Sequence, residues 1–242
     1  MRIQNILLTL ALLLSSNLAF GMHITEGIIT GYPVLIYTLI ALILMSVGAD
    51  KMKKFAQAMP EKKPLFGMCA AIIFFVSLIP IPAFTGTTSH PCGVVLVAIL
   101  LGPFITVALT GLSLLLQAAF FAHGGFGTWG ANVIALGLAG CLSGWVVFYT
   151  LRKLKVSVFI SACIAGFIGD VTVYASSGFI LALALSSGPQ PQYDFFTYLG
   201  VIYIAYLPTQ LPIAIIEGLI TGYALNHALR QRPEVLRSLG VH

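Results

Sequence analysis

Long apolar runs separated by short basic segments constrain this chain more than any other feature. A helix needs about 20 apolar residues to cross the ~30 Å hydrocarbon core of a bilayer. Runs of that kind occupy 33–49, 64–82, 131–149, 156–185 and 198–226. Only 8% of the residues are charged and 59% are hydrophobic, whereas soluble domains average about 25% charged. The pattern specifies an all-α, polytopic membrane bundle, and 242 residues leave room for a single such domain. The net charge of +5 does not point to nucleic acid, because the basic residues sit in short loops between spans.

The stretch 93–121 is the ambiguous one, being interrupted by Gly102-Pro103. Charge resolves it. Apart from Arg2, Lys and Arg fall into three groups: Lys51, Lys53, Lys54, Lys62 and Lys63; Arg152, Lys153 and Lys155; and Arg230, Arg232 and Arg237. The positive-inside rule places all three in the cytoplasm. The 93–121 region must then cross an even number of times. Two crossings, with Gly102-Pro103 as the turn, give about seven transmembrane helices. The mature N-terminus lies outside and the C-terminus inside. Residues 93–101 as a helix cover only about 14 Å at ~1.5 Å per residue, so this element is short or re-entrant. The preceding loop, with its Gly86-Thr87-Thr88-Ser89 run, must dip into the membrane, where irregular backbone survives only inside protein or beside a cavity. Tyr32 and Trp129 suit an outer aromatic belt.

Residues 1–21 read as a cleavable signal peptide: Arg2 opens it, Ile6 to Leu14 form its apolar run, and Ala19-Phe20-Gly21 supply small residues at the cut. Residues 22–242 form the mature membrane domain. Cleavage after Gly21 creates a new terminus, Met22-His23. The free amine of Met22, the backbone nitrogen of His23 and its ring Nδ1 form fused chelate rings around one metal ion. His90, at the end of the dipping loop and on the same side of the membrane, supplies a fourth nitrogen. A planar four-nitrogen set favours Ni(II) or Cu(II), and low-spin Co(II) also accepts it; tetrahedral zinc fits poorly. Four further residues are candidates for holding the ligands in place. His123 and Asn132 flank a glycine-rich turn, Ser89 precedes His90, and Glu26 could orient His23 or cap the first helix.

Four cysteines show no C-x-x-C spacing, and three lie in apolar runs as packing residues; Cys92, two residues from His90, is a reserve ligand. Asp170 and Glu217 lie inside apolar spans, where an ionisable group invites a functional reading, or where a neutral acid can bridge helices. Gly140-x-x-x-Gly144, Ala162-x-x-x-Gly166 and Gly218-x-x-x-Gly222 offer small faces for close helix contact, either with a partner or within the bundle.

Three separated motifs occur in order: Met22-His23-Ile24-Thr25-Glu26-Gly27; Ser89-His90-Pro91 leading to Gly102-Pro103-Phe104; and His123-Gly124-Gly125 with Gly130-Ala131-Asn132. Together they resemble the CbiM/NikM family, substrate-binding membrane components (S components) of energy-coupling-factor (ECF) transporters for cobalt and nickel. The resemblance implies metal ligands at Met22, His23 and His90, and transport of Co2+ or Ni2+ as substrate. Ser89-His90-Pro91 and the glycine after Cys92 are more similar to the cobalt branch, which serves cobalamin biosynthesis; nickel is the alternative. The chain lacks G-x-x-x-x-G-K-[ST] and binds no ATP through a P-loop. The resemblance therefore implies a location in the inner membrane, with a transmembrane coupling subunit, cytoplasmic ATPase subunits and, in the cobalt branch, a small accessory membrane subunit as partners.

A more distant alternative is a membrane metalloprotein or enzyme unrelated to transport. H-E-x-x-H is absent, Ser143 has no histidine at similar depth in a neighbouring span, and the histidines lie at span ends rather than within spans, as a haem subunit would require. The sequence therefore specifies a non-enzymatic membrane component.

Overall fold

The computed structural model describes residues 23–24, 26–82, 88–188 and 191–241. Residues 1–21, read from the sequence as a signal peptide, together with Met22, Gly86, Thr87 and His242, lie outside the described residues. The described chain is helical apart from one antiparallel pair of two-residue strands. The helices are α1 (Tyr32–Ala58), α2 (Pro64–Val76), α3 (Val94–Leu101), α4 (Pro103–Phe121), α5 (Trp129–Lys153), α6 (Val158–Ser186), α7 (Phe195–Gln231) and α8 (Pro233–Ser238). The strands are β1 (Ile81–Pro82) and β2 (Thr88–Ser89), with Ile81 opposite Ser89 and Pro82 opposite Thr88.

Five of these helices, α1, α4, α5, α6 and α7, are long and apolar enough to cross a membrane. The chain is a multi-pass membrane protein. The run at 64–82 becomes a helix of only 13 residues, and α3 has 8 residues, about 20 and 12 Å at 1.5 Å per residue. The chain breaks between α3 and α4 at Gly102, whose φ of 82° suits a residue without Cβ, and Pro103 opens α4 with its fixed φ and missing N–H. The sequence reading of two helices around Gly102-Pro103 thus describes the backbone.

The apolar surface is divided as in a membrane protein. Leu35, Leu39 and Ile43 of α1 and Ile204, Ile215 and Ile220 of α7 are exposed. By contrast α3 is almost wholly enclosed, with Val94, Val97, Ala98 and Ile99 at no more than 1% exposure. A short helix held inside the bundle needs no lipid-spanning length.

Small residues set the spacing. A Cβ on Gly140 would meet Val173 Cγ2 at 2.2 Å, one on Gly218 would meet Cys163 O at 2.5 Å, and one on Gly222 would meet Cys163 Sγ at 2.3 Å. These three small-residue faces therefore pack helices inside the bundle, above all α6 against α7. Residues Val133–Gly140 of α5 adopt π-helical geometry, a local widening that begins immediately after Asn132. Trp129 departs from the sequence expectation. It is 7% exposed and its indole Nε1 donates to Gly111 O at 2.9 Å, so it ties α5 to α4 rather than facing a membrane interface. Tyr32, 82% exposed, keeps the interfacial role open to it.

Candidate metal centre

Three histidines remote in sequence converge at one end of the bundle. His23 and His90 are 1% and 0% exposed. His90 Nε2 lies 3.1 Å from His23 Nδ1, with ring centroids 4.7 Å apart and planes inclined by 22°. The ring of His123 lies 4.5 Å from that of His23, inclined by 74°. One nitrogen from each ring falls within 4.8 Å of the others. Among the described residues no other trio of His, Cys, Asp or Glu gathers its donor atoms so closely.

The tautomer of His90 follows from its neighbours. Its Nδ1 lies 2.9 Å from the carbonyl of Pro91. A carbonyl only accepts, so Nδ1 carries the proton and Nε2 presents a lone pair to His23. Two imidazole nitrogens at 3.1 Å need something between them that both can bind, either a proton or a cation. An ion about 2.0–2.1 Å from each would subtend an angle of about 100°, which suits adjacent positions in a square.

Burial pushes His90 down to about 3, with the Pro91 carbonyl opposing the shift and His123 adding to it. His23 is driven well below its ordinary range by burial first and then by its two histidine neighbours. His123 is lowered by burial, against a hydrogen bond to the Ser77 backbone. Neutral rings with available lone pairs are what a divalent transition ion requires.

The His90 loop is anchored from below by side chains of α6 and α7. Ser89 Oγ bonds to the Tyr174 hydroxyl and donates to Gln210 Oε1 at 2.7 Å. The same Tyr174 oxygen accepts from His90 N at 3.2 Å. Gln210 Nε2 donates to Asp170, and Cys92 Sγ donates to Asp170 Oδ1 at 3.3 Å. Glu217 accepts from Cys92 N at 3.1 Å and Gly93 N at 2.8 Å. Its carboxylate thereby caps the start of α3, where unpaired N–H groups and the helix dipole favour negative charge. All of these side chains are buried.

The N-terminal segment and the glycine turn hold each other. Asn132 Oδ1 accepts from Ile24 N at 2.9 Å, and Asn132 Nδ2 donates to Ile24 O at 3.2 Å, so one side chain pairs with the backbone beside His23 as a strand would. Glu26 Oε2 accepts from Gly127 N at 2.9 Å. Helix α1 has Gly31 as N-cap and no side-chain cap bond, so Glu26 binds the glycine turn instead of capping α1.

His23, His90 and His123 meet, while Asn132, Ser89 and Glu26 each hold a segment that carries one of the histidines. The Cys92 thiol is committed to Asp170, which removes it as a reserve ligand. Tyr174 and Gln210 escaped the sequence reading. Gln210, a polar amide between Pro208 and Pro212 in an apolar span, was the signal available; a lone tyrosine in a span carries none.

Comparison with known proteins follows the same lines. Residues 23–235 match the family model CbiM, described as a cobalt uptake substrate-specific transmembrane region. The cobalt transport protein CbiM of Geobacter sulfurreducens is 38% identical over 92% of this chain, which spans 64% of that protein's length. The Sorangium cellulosum protein of the same name is 37% identical over 91% of this chain and 96% of its own length. In Methanocaldococcus jannaschii a putative cobalt transport protein CbiM is 37% identical over 91% of this chain and 92% of its own. A crystal structure of a transition metal transporter superposes with a TM-score of 0.75 at 24% identity, covering 86% of this chain and 92% of that one, and a truncated transition metal transporter superposes at 0.74; both show the fold. A multi-pass chain matched over residues 23–235 by that family model, and 37% identical to relatives that it spans almost completely, is a membrane metal-transport component rather than an enzyme, and it belongs to the CbiM family.

Proposed function

We propose that this chain is the ion-capture component of an ECF transporter that imports Co2+ across the inner membrane for cobalamin biosynthesis. The observation that supports it most is the buried pair His23 Nδ1 and His90 Nε2, 3.1 Å apart. In this reading signal cleavage after Gly21 frees the Met22 amine. That amine, the backbone and ring nitrogens of His23 and the ring of His90 grip the ion in one plane. Asn132 holds the terminal segment, Ser89 and Tyr174 hold the His90 loop, and the outer surface supplies the ion. A transmembrane coupling subunit, cytoplasmic ATPase subunits and a small accessory membrane subunit provide the energy and the inward release, since the chain has no P-loop of its own. Seven crossings place the mature N-terminus outside and the C-terminus in the cytoplasm.

Ni2+ is the second reading for the ion, favoured by the planar geometry of four nitrogens. Both ions share one test. A single residue inserted between Met22 and His23 changes the size of the chelate ring while leaving every span unaltered. Metal content of the purified insertion variant is expected to fall to background, as is that of His90→Ala, with membrane insertion retained. N-terminal sequencing of the unsubstituted protein is expected to begin at Met22. Normal metal content in the insertion variant sinks the chelate.

A further inference from the structure

The planar set leaves one imidazole unused. His123 Nε2 is buried and makes no hydrogen bond among the described residues, which leaves a desolvated donor atom without compensation. Its ring stands 4.5 Å from His23 and 5.7 Å from His90. One of its nitrogens lies within 4.8 Å of the donor atoms of both.

We propose that His123 is a direct ligand of the transported ion, bound through Nε2 from outside the plane, and that it selects Co2+ over Ni2+. The proposal rests on the capture reading above. If Met22, His23 and His90 fill the four positions of the square, a further imidazole has only an axial position. The 74° inclination turns the His123 ring out of the plane of the His23 ring. Electron count then decides which ion benefits. Low-spin d8 Ni2+ in a square of strong nitrogen donors has a filled orbital along the axis and gains little from a fifth ligand. Low-spin d7 Co2+ has a single electron in that orbital and takes an axial donor readily.

The position of His123 is compatible with approach to an ion. It opens the glycine turn, where Gly124 has a φ of +81° and a Cβ built there would lie 3.6 Å from His23 Cβ. The turn is tied to the N-terminal segment through Glu26 and Gly127. The N-terminal segment and the turn that carries His123 are therefore in direct contact.

The test uses the full chain purified from membranes and loaded anaerobically with Co2+ or Ni2+. In the electron paramagnetic resonance spectrum of low-spin Co2+, a single axial nitrogen splits each cobalt line into three, and 15N-histidine labelling reduces the three to two. The unsubstituted protein is expected to show this pattern. His123→Phe, which keeps ring bulk, is expected to lose it, with Co2+ affinity falling about tenfold or more and Ni2+ affinity by less than about threefold. Retained Ni2+ binding shows that the variant is folded, and His123→Ala provides the same reading if the phenylalanine does not fit. The proposal is overturned if the splitting is missing in the unsubstituted protein, if it survives in both variants, or if both variants lose the two ions equally. An unsubstituted protein that binds neither ion overturns the capture reading itself.

Discussion

The loops carrying His90 and His123 bring imidazoles to the same point by opposite means. The His90 loop is held by buried side chains from two long helices: Tyr174 and Asp170 of α6, Gln210 and Glu217 of α7. The His123 loop is held by glycines and by Glu26, through a hydrogen bond open to solvent. One loop is built into the floor of the bundle and the other closes over it from the rim. In the capture reading proposed above, His90 is the ligand placed before an ion arrives, and the N-terminal segment and His123 settle around it. In that reading preorganisation on the His90 side favours affinity, and the rim side admits the ion.

The largest effect expected from breaking this contrast is at Glu217. Its carboxylate satisfies two buried N–H groups at the start of α3. Glu217→Leu leaves both unpaired, at a cost of about 1–3 kcal/mol for each buried donor without a partner. The midpoint of thermal unfolding in detergent is expected to drop clearly, and ion capture with it. Glu217→Gln retains one acceptor oxygen and is expected to fall between the two. An unchanged melting midpoint for Glu217→Leu would mean that the floor is not held by this cap.

An intermediate effect belongs to Asn132, where helix α5 meets the N-terminal segment in a two-bond clamp on Ile24. Asn132→Ala removes both bonds and exposes the backbone of Ile24 to competition from water. The expected outcome is a loss of roughly 10–100-fold in metal affinity, with little change in the melting midpoint. Hydrogen exchange at the Ile24 amide is expected to accelerate. Equal losses in stability and affinity would make Asn132 a packing residue instead of a clamp.

The same contrast explains what was legible in the sequence. Hydropathy located the starts of the long helices within a few residues, because burial in lipid imposes length and composition on every span, but α1 continues through the basic segment to Ala58, nine residues past its apolar run. Gly102-Pro103 announced the break between α3 and α4, because few residues tolerate that backbone. Two of the three converging histidines were legible as candidates, since His23 and His90 carry chemistry in their side chains. The support of the site was not. Asp170 and Glu217 drew attention as acids in apolar runs, but no linear pattern pairs them with Cys92 and Gly93, over 70 residues away. Trp129 misled for a related reason: an aromatic at a helix start suits either a membrane interface or a hydrogen bond inward, and only the approach of Gly111 O decides. Thirteen residues in α2, where the sequence offered a nineteen-residue run, show the limit of composition. Leu78 and Ile79 extend the apolar run, but the chain leaves the helix at Ser77 and forms the short strand pair that leads to His90.

The smallest expected effect tests the loose side alone. Glu26 reaches Gly127 N through a solvent-exposed bond, and such a bond contributes about 0.5–1.5 kcal/mol. Gly125 and Gly127 are fitted around that carboxylate: a Cβ on Gly125 would lie 2.1 Å from Glu26 Oε2, and one on Gly127 would lie 2.5 Å from Oε1. Glu26→Ala removes both the bond and the obstacle, so it loosens the turn without touching the floor. The melting midpoint is expected to stay constant and the equilibrium affinity to fall by less than about tenfold, with ion dissociation accelerated by the same factor. A double variant tests whether the two contacts of the terminal segment are coupled. If they act independently, the effects of Glu26→Ala and Asn132→Ala add, whereas two grips on the same terminal segment give less than additive losses once one of them is gone. Additivity within about 0.5 kcal/mol would place Glu26 outside the latch and leave the glycine turn held by its own backbone.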